Sequence, residues 1–338
     1  MANIYFATNR LADATVPGGF GDGITIDPAQ VQFGVLEVTG TDLAHANSGQ
    51  LGAITHRQAG GFDAATRAEI IGAGKNLLVF IHGFANSFAD AMKRAAFNRA
   101  WFAAGGRPEA DTTVLAFTWP SSGEVFGDDK LHPTGRYRED RIKAGQSDAT
   151  IAAFLRHVLE IAQEMKQRFA DSRVFLLAHS MGNHALNGAV ERFFDGAAPP
   201  VAFDEAILAA ADEVDRALEL ADQSGMYKLR DLATRISIYA SGRDVALKLS
   251  FALNGAVPLG LDGAESEENQ IIYPAQKFRS VDCTLVFDLL GEDRSAGVDV
   301  SHQYYRRSRR VRNDLALLMA NGEVRPGMSR LFAPPLIG

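Results

Sequence analysis

Ser180 lies in Ala178-His179-Ser180-Met181-Gly182, with a small residue two positions before it and another two positions after it. A serine hydroxyl is a weak nucleophile until an imidazole takes its proton, and that imidazole needs a carboxylate to hold it in the useful tautomer. Small flanking residues suit a tight turn in which neighbouring backbone must come close to the serine. Ala178 stands where glycine is usual, a departure that keeps the position small. The chemistry predicted is attack on an ester-like acyl carbon.

The base and the acid should follow the serine in the order serine, acid, histidine. Of the eight histidines, His45, His56, His82, His132, His157 and His179 precede Ser180, which leaves His184 and His302. His184 falls one helical turn beyond the serine and reads as a packing or surface residue. His302 is the base by elimination; it follows the glycine-containing stretch 291–297, where a mobile loop would bring the ring over the serine. Two carboxylates compete for the third role. Asp244, in Ser241-Gly242-Arg243-Asp244, follows the penultimate strand and is favoured; Asp212 follows the strand before it and reads alternatively as a helix cap or a support. Glu213 and Asp215 read as solvated charges of the same loop.

The elements that must position these residues alternate between short β-rich apolar runs and longer helical patterns, the signature of a mainly parallel sheet covered by helices on both faces. Strands are predicted at 76–81, 113–118, 173–178, 205–210 and 235–239, with a sixth at 281–287. Helices are predicted at 89–103, 147–169 and 181–194, the last beginning directly after Ser180. Two early strands, 4–7 and 31–38, read as antiparallel with a glycine-rich loop between them. The whole chain is expected to form one α/β domain, with N-terminal strands and loops over 1–70 and a catalytic core over 71–338. Insertions at 120–146, 212–234 and 246–277 would build a pocket or lid.

Parallel strands deliver their carboxyl ends to one edge of a sheet, so Phe84, Ser180, Asp212, Asp244 and His302 are expected to converge there. The start of the helix after Ser180 makes Met181 N–H one donor for a developing oxyanion, and Phe84 N–H, in His82-Gly83-Phe84, a second. Gly83 has the plainer alternative of merely making a turn. His82, Gly83, Phe88 and Trp119 are candidate pocket residues, with Trp119 reading equally as core filling.

Composition bounds the partners. The 338 residues are 46% apolar and 22% charged, a globular balance, and the formal net charge of -7 argues against nucleic acid. Cys283 is the single cysteine, which excludes an intrachain disulfide and a cysteine-based zinc cluster. Neither a secretory signal nor a membrane-length apolar run is apparent, so a cytoplasmic enzyme is expected, with no cofactor or metal and a small ester-type substrate carrying an apolar acyl or alcohol group. Gly72-Ala73-Gly74-Lys75 precedes a strand and lacks the rest of a phosphate loop, and Gly19-Phe20-Gly21-Asp22-Gly23 lacks the strand-glycine-helix context of a dinucleotide site. The cluster Arg306, Arg307, Arg309, Arg310 and Arg312 reads as a solvated helix face.

Phe6-Ala7-Thr8-Asn9-Arg10, His82-Gly83-Phe84, Trp119-Pro120-Ser121, Tyr137 with Asp140, the Ser180 pentapeptide, Ala209-Ala210-Ala211-Asp212, Tyr239-Ala240-Ser241 with Asp244, and His302 with Tyr304-Tyr305 together carry a resemblance. The chain resembles bacterial α/β-hydrolases of largely unknown function, esterase/lipase-superfamily-like serine hydrolases. The resemblance implies the α/β-hydrolase fold and a triad of Ser180, Asp244 and His302. The stretch 127–133 departs from it by looking lengthened. Carboxylic ester hydrolysis is the leading expectation. A lactonase, thioesterase, amidase or acyltransferase would use the same triad, and a non-catalytic binding module on the same scaffold is the alternative of another class.

Overall fold

The continuous apolar runs become the buried middle of a ten-stranded sheet. The computed structural model describes residues 1–45, 47–106, 111–123, 134–194, 201–220, 224–289, 300–321 and 329–330. In chain order the strands are β1 (Ala2–Thr8), β2 (Arg10–Ala12), β3 (Phe20–Ile24), β4 (Gln32–Thr39), β5 (Gln50–Ala59), β6 (Asn76–Ile81), β7 (Thr112–Thr118), β8 (Val174–His179), β9 (Phe203–Ala209), β10 (Ala233–Ala240), β11 (Phe278–Asp282) and β12 (Ser329–Arg330). The large sheet runs β12-β11-β10-β9-β8-β6-β7-β1-β4-β5, and β2 and β3 form a separate ribbon. Every pairing from β12 to β1 is parallel, and only β4 runs against its neighbours.

Both faces are covered, which is why β6 and β8 are apolar at almost every position and not merely at alternate ones. On one face α1 (Ala64–Ala73), α4 (Asp148–Arg168) and α5 (Met181–Phe193) contribute Ile70, Ile151, Leu155, Val158, Leu186 and Val190 to the core. On the other, α2 (Phe88–Ala103) and α10 (Arg309–Asn321) contribute Met92, Phe97, Trp101, Val311 and Leu315. Ser87 and Asp90 close a reciprocal capping box at the start of α2, and that fixes where the chain leaves the loop after β6. The fold is therefore the expected one, a mostly parallel sheet with helices on both faces.

Several local expectations are corrected. The last long strand is Phe278–Asp282, upstream of the expected 281–287. Arg279 and Ser280 made its sequence look polar, yet Arg279 is buried against Asp314; the apolar run after it begins in a turn, with Thr284 N–H donating to Asp282. The glycine-rich segment between the early strands holds the β2–β3 ribbon, and β5 was invisible because an edge strand with mostly exposed positions carries no apolar signal. Arg306 and Arg307 are buried in the short helix α9 (Tyr304–Arg307) and do not lie on a solvated face; Arg306 donates to Gln303. Glu213 is buried as well, accepting from His184. Of the expected insertions, 120–146 contains α3 (Thr134–Gln146), 212–234 contains α6 (Leu229–Leu232), and 246–277 contains most of α7 (Val245–Asn254) and all of α8 (Leu259–Asp262). The stretches 127–133 and 291–297, and His132, lie outside the described residues.

Gly260, in α8, marks where this region is pressed onto the sheet edge. Its N–H donates to Ala211 and its carbonyl accepts from Ser241, and a Cβ there would meet Ala211 N at 2.1 Å and the Ala210 carbonyl carbon at 2.3 Å. Backbone cannot yield as a flexible side chain can, so Gly260→Ala should destabilise the fold by about 2–3 kcal/mol. A chemical-denaturation midpoint equal to that of wild type would show that the contact is not close-packed.

Candidate active site

Ser180 occupies the single residue between β8 and α5, with φ 53° and ψ -129°. Left-handed backbone is uncommon for a residue with a Cβ and persists only where its surroundings hold it. Here they do. Ser180 N–H donates to Ala209 O at 3.0 Å, and Ser180 O accepts from Asn183 N–H at 3.0 Å, Asp212 N–H at 3.1 Å and the Asn183 side chain at 3.1 Å. Asn183 Nδ2 also donates to Ala178 O at 3.1 Å, so one buried amide staples both sides of the turn. Nothing in the sequence reading singled out Asn183; a polar residue at the third position after the serine, on an otherwise buried helix face, was its only trace. The Ser180 hydroxyl is not spent on capping α5.

Two glycines let the turn form. A Cβ on Gly182 would meet His82 O at 2.5 Å and Ile81 O at 2.7 Å, and one on Gly83 would meet Ser180 Cβ at 2.7 Å and His179 O at 2.9 Å. Gly83 is therefore required for close approach as well as for turning the chain. Beyond it, Phe84 is half-buried and Ala85 is left-handed at φ 55°. Asn86 ties this loop down, its side-chain amide donating to Gly83 O and Phe84 O at 2.8 Å each. The backbone of Phe84 thus lies one residue from the Ser180 contact, while Met181 opens α5, where the first N–H groups have no partner within the helix.

His302 Nδ1 is 2.7 Å from Asp244 Oδ2, and both side chains are buried. Asp244 Oδ1 caps α7 by accepting from Leu247 N–H at 3.0 Å, so both carboxylate oxygens are committed. A carboxylate can only accept, so Nδ1 carries the proton and Nε2 keeps its lone pair. His302 sits in a 3-10 turn whose exit is anchored by Tyr304, its hydroxyl donating to Tyr239 O at 2.5 Å and accepting from Ala210 N–H at 3.0 Å. The His302 carbonyl accepts from His179 Nε2 at 3.2 Å, and the two rings lie 4.8 Å apart. The residue before Ser180 thereby touches His302.

Asp212 takes part in a different cluster. It accepts from the Tyr137 hydroxyl at 2.8 Å and from the Ser250 hydroxyl, with Arg141 3.7 Å away. His184 pairs with Glu213 at 2.8 Å, and that bond holds the Glu213 carboxyl below its usual range although burial acts against it. Of the other candidates, His82, Phe88 and Trp119 are fully buried. His82 stacks on Trp119 at 5.1 Å, and Trp119 Nε1 donates to His82 O at 2.8 Å, which places the pair beneath the loop. Phe88 packs against Phe6 and Phe20 in the core on the α2 face of the sheet. Two surface cavities, one lined by Ile238, Tyr273 and Phe278 and the other by Asn3, Tyr5 and Glu69, lie away from Ser180. No group of three or more His, Cys, Asp or Glu among the described residues is arranged to hold a metal ion. No helix among them is long and apolar enough to cross a membrane.

A serine raised on such a turn, at the carboxyl edge of a mostly parallel sheet covered on both faces, is the arrangement of the α/β hydrolases, and this chain is one of them. Residues 63–319 match the family model described as "Alpha/beta hydrolase of unknown function (DUF900)", and the chain belongs to that family. Among solved structures it is similar to a cutinase-like protein from Cryptococcus sp., at 12% identity and TM-score 0.34, over 75% of this chain and 96% of the other. It is also similar to a lipase-esterase related protein from Clostridium acetobutylicum ATCC 824, at 11% identity and TM-score 0.21, over 62% of this chain and 74% of the other. No curated protein matches the sequence.

Burial pushes both His82 and His179 well below the ordinary histidine value, and a neighbouring positive group, Arg10 for His82 and Arg306 for His179, adds to the effect. Both rings are therefore neutral in the fold near pH 7, whereas in the unfolded chain each takes a proton as pH falls through about 6.5. More protons on the unfolded state means that stability is full above that value and declines below it, by up to about 1.4 kcal/mol per ring per pH unit. Denaturation midpoints measured between about pH 7.5 and 5.5 should fall accordingly, and less steeply in His82→Gln. A wild-type profile flat over that window would contradict neutral buried rings.

Proposed function

We propose that the protein is a serine hydrolase that cleaves carboxylic esters through an acyl-enzyme. The observation that carries this reading is the buried His302–Asp244 pair at the same sheet edge as Ser180, with the His302 ring against His179. Ser180 Oγ attacks the acyl carbon and gives its proton to His302 Nε2. Asp244, accepting from Nδ1, orients the ring and stabilises the imidazolium. The oxyanion formed on the carbonyl oxygen is met by the N–H groups of Phe84 and Met181, which need no reorganisation because Gly83 and the start of α5 are already packed around the serine. His302 then protonates the departing alcohol. Water then gives a proton to His302 Nε2 as its oxygen attacks the acyl carbon, and the acyl–Oγ bond breaks to release the carboxylic acid as the imidazolium returns its proton to Ser180 Oγ.

The commitment of Asp212 to Tyr137 and Ser250 supports Asp244 over Asp212 as the acid. Half-buried Phe84, one residue from the contact of Gly83 with Ser180, supports a small substrate with an apolar acyl or alcohol group.

With p-nitrophenyl acetate and butyrate, Ser180→Ala should lower kcat/KM by roughly 10⁴-fold or more while the fold is retained. Asp244→Asn should cost about 10³–10⁴-fold in kcat, because the imidazole loses its tautomer. Asp212→Asn should stay within about tenfold of wild type, since its roles are to hold Tyr137 and Ser250. Full activity in Ser180→Ala would sink the nucleophile, and an Asp212→Asn loss equal to that of Asp244→Asn would sink the choice of acid.

A further inference from the structure

The loop that carries Phe84 is braced by two buried charges that come from elsewhere in the chain. Arg10 is 2% exposed and belongs to β2, outside the stretch 63–319 that matches the family model. Its guanidinium donates four bonds: Nε to Thr118 Oγ1 at 2.9 Å, Nη2 to Asn86 O at 2.6 Å, and Nη1 to Ser121 O at 3.1 Å and Gly21 O at 2.9 Å. Only the last of these holds the β2–β3 ribbon. The other three reach the ends of β6 and β7. Thr118 Oγ1, having accepted from Arg10, is 3.1 Å from His82 Nε2, and His82 Nδ1 is 2.9 Å from Gly83 O. With the proton on Nδ1, the polar chain runs without interruption from Arg10 through Thr118 and His82 to the carbonyl of Gly83.

Asp140, in α3, grips the same loop from the other side. It is fully buried and accepts from the Ser121 hydroxyl, from Ser122 N–H at 3.1 Å and from Ala85 N–H, and Ser121 Oγ in turn accepts from Asn86 N–H at 3.1 Å. Asn86 is thus held at its N–H by the Asp140 arm and at its carbonyl by Arg10, while its side chain holds Gly83 and Phe84. Burial pulls the Arg10 guanidinium down to about 9, which leaves it charged at neutral pH, and Asp140 acts in the opposite sense. Two charges removed from water here are a large expense for a surface turn. The loop has a use for them: Ala85 sits at φ 55°, a conformation disfavoured for an L-residue, and relaxing it would turn the Phe84–Ala85 peptide, whose carbonyl Asn86 holds together with that of Gly83, the latter in the peptide that carries Phe84 N–H.

We propose that Arg10 and Asp140 are positioning residues that, through Asn86, Ser121, Thr118 and His82, hold the Gly83-Phe84-Ala85 backbone with Phe84 N–H aimed at the oxyanion. The function given to that N–H rests on the serine-hydrolase reading above; the bracing of the loop does not. The start of β2 is accordingly part of the active-site machinery. Lysine cannot replace the arginine, because one ammonium offers no planar fork to donors' partners spread over three segments.

The test uses the full-length chain with Arg10→Lys and Asp140→Asn, and Arg279→Lys as a comparator that disturbs a buried ion pair in β11. Three measurements are made on each: thermal midpoint, kcat and KM on p-nitrophenyl butyrate, and backbone hydrogen exchange of the peptide spanning 82–88. Arg10→Lys and Asp140→Asn should keep KM within about threefold and lose kcat by roughly 10–100-fold, a large part of the value of one oxyanion donor. The 82–88 peptide should exchange faster while β8 and β9 do not. Arg279→Lys should lower the midpoint yet leave kcat within about twofold, which separates positioning from general stability. Unchanged exchange at 82–88, or faster exchange with unchanged kcat in an active enzyme, overturns the proposal. So does failure of both variants to fold, since the pair would then be scaffold. If wild type cleaves no ester, or Ser180→Ala is as active, the hydrolase reading falls by itself, and the exchange measurement still decides whether the pair holds the loop.

Discussion

The left-handed backbone of Ser180 is the constraint on which the rest of the arrangement hangs. A serine in that conformation is unfavourable in isolation, and it is held because two strand ends close around it: β9 takes its N–H, the start of the segment after β9 donates to its carbonyl, and the turn after β6 presses against its Cβ. The close approach of the β6 end requires absent side chains at Gly182 and at Gly83. Projecting the serine from the sheet edge and bringing the loop of Phe84 within reach are therefore one packing event. The same approach fixes the direction of α5, whose first turn then faces the serine.

Around that point the protein buries polar groups in two different ways. Near Ser180 they form connected chains with both ends tied to backbone: Arg10 to Gly83, Asp140 to Asn86, and Tyr304 between β9 and β10. Such chains hold backbone at defined angles, because every donor direction is specified. Elsewhere the buried charges join one element to another. Arg279 donates to both carboxylate oxygens of Asp314 at 2.6 and 2.5 Å, fixing α10 on β11, and Arg235 with Ser237 satisfies Glu205 across β9 and β10. Replacing pairs of the second kind by apolar residues would leave an intact sheet. Replacing the first kind would leave the serine without its surroundings.

The family match and the geometry speak at different levels. Membership in a group of α/β hydrolases of unknown function defines the scaffold and the class of chemistry. Substrate and roles must come from the site, since one fold hosts many reactions. The committed Nδ1–H of His302, the doubly used Asp244 and the prepared turn at Ser180 are what give the ester-cleaving proposal its content.

The sequence by itself determined the parallel core. Strands buried on both faces must be apolar throughout, so β6, β7, β8, β9 and β10 announce themselves within a residue or two, and a serine set between such a run and a helical pattern can only lie on the turn. It also narrowed the candidate base to His302, since chain order left two histidines and His184 fell within the helix that follows the serine. Tertiary structure decided what depends on partners distant in the chain. Whether Asp212 or Asp244 meets the imidazole turns on which strand end lies beside the His302 turn, and the two look alike in sequence. β11 hid behind Arg279, whose charge is hidden only because Asp314 is there, and the solvated reading of Arg306, Arg307 and Glu213 failed for want of the same knowledge of what packs on them. Arg10 shows the limit most plainly: an arginine near the N-terminus carries no local mark of reaching Asn86 and Ser121, because periodicity reports which face of an element is covered and is silent on which charge covers it.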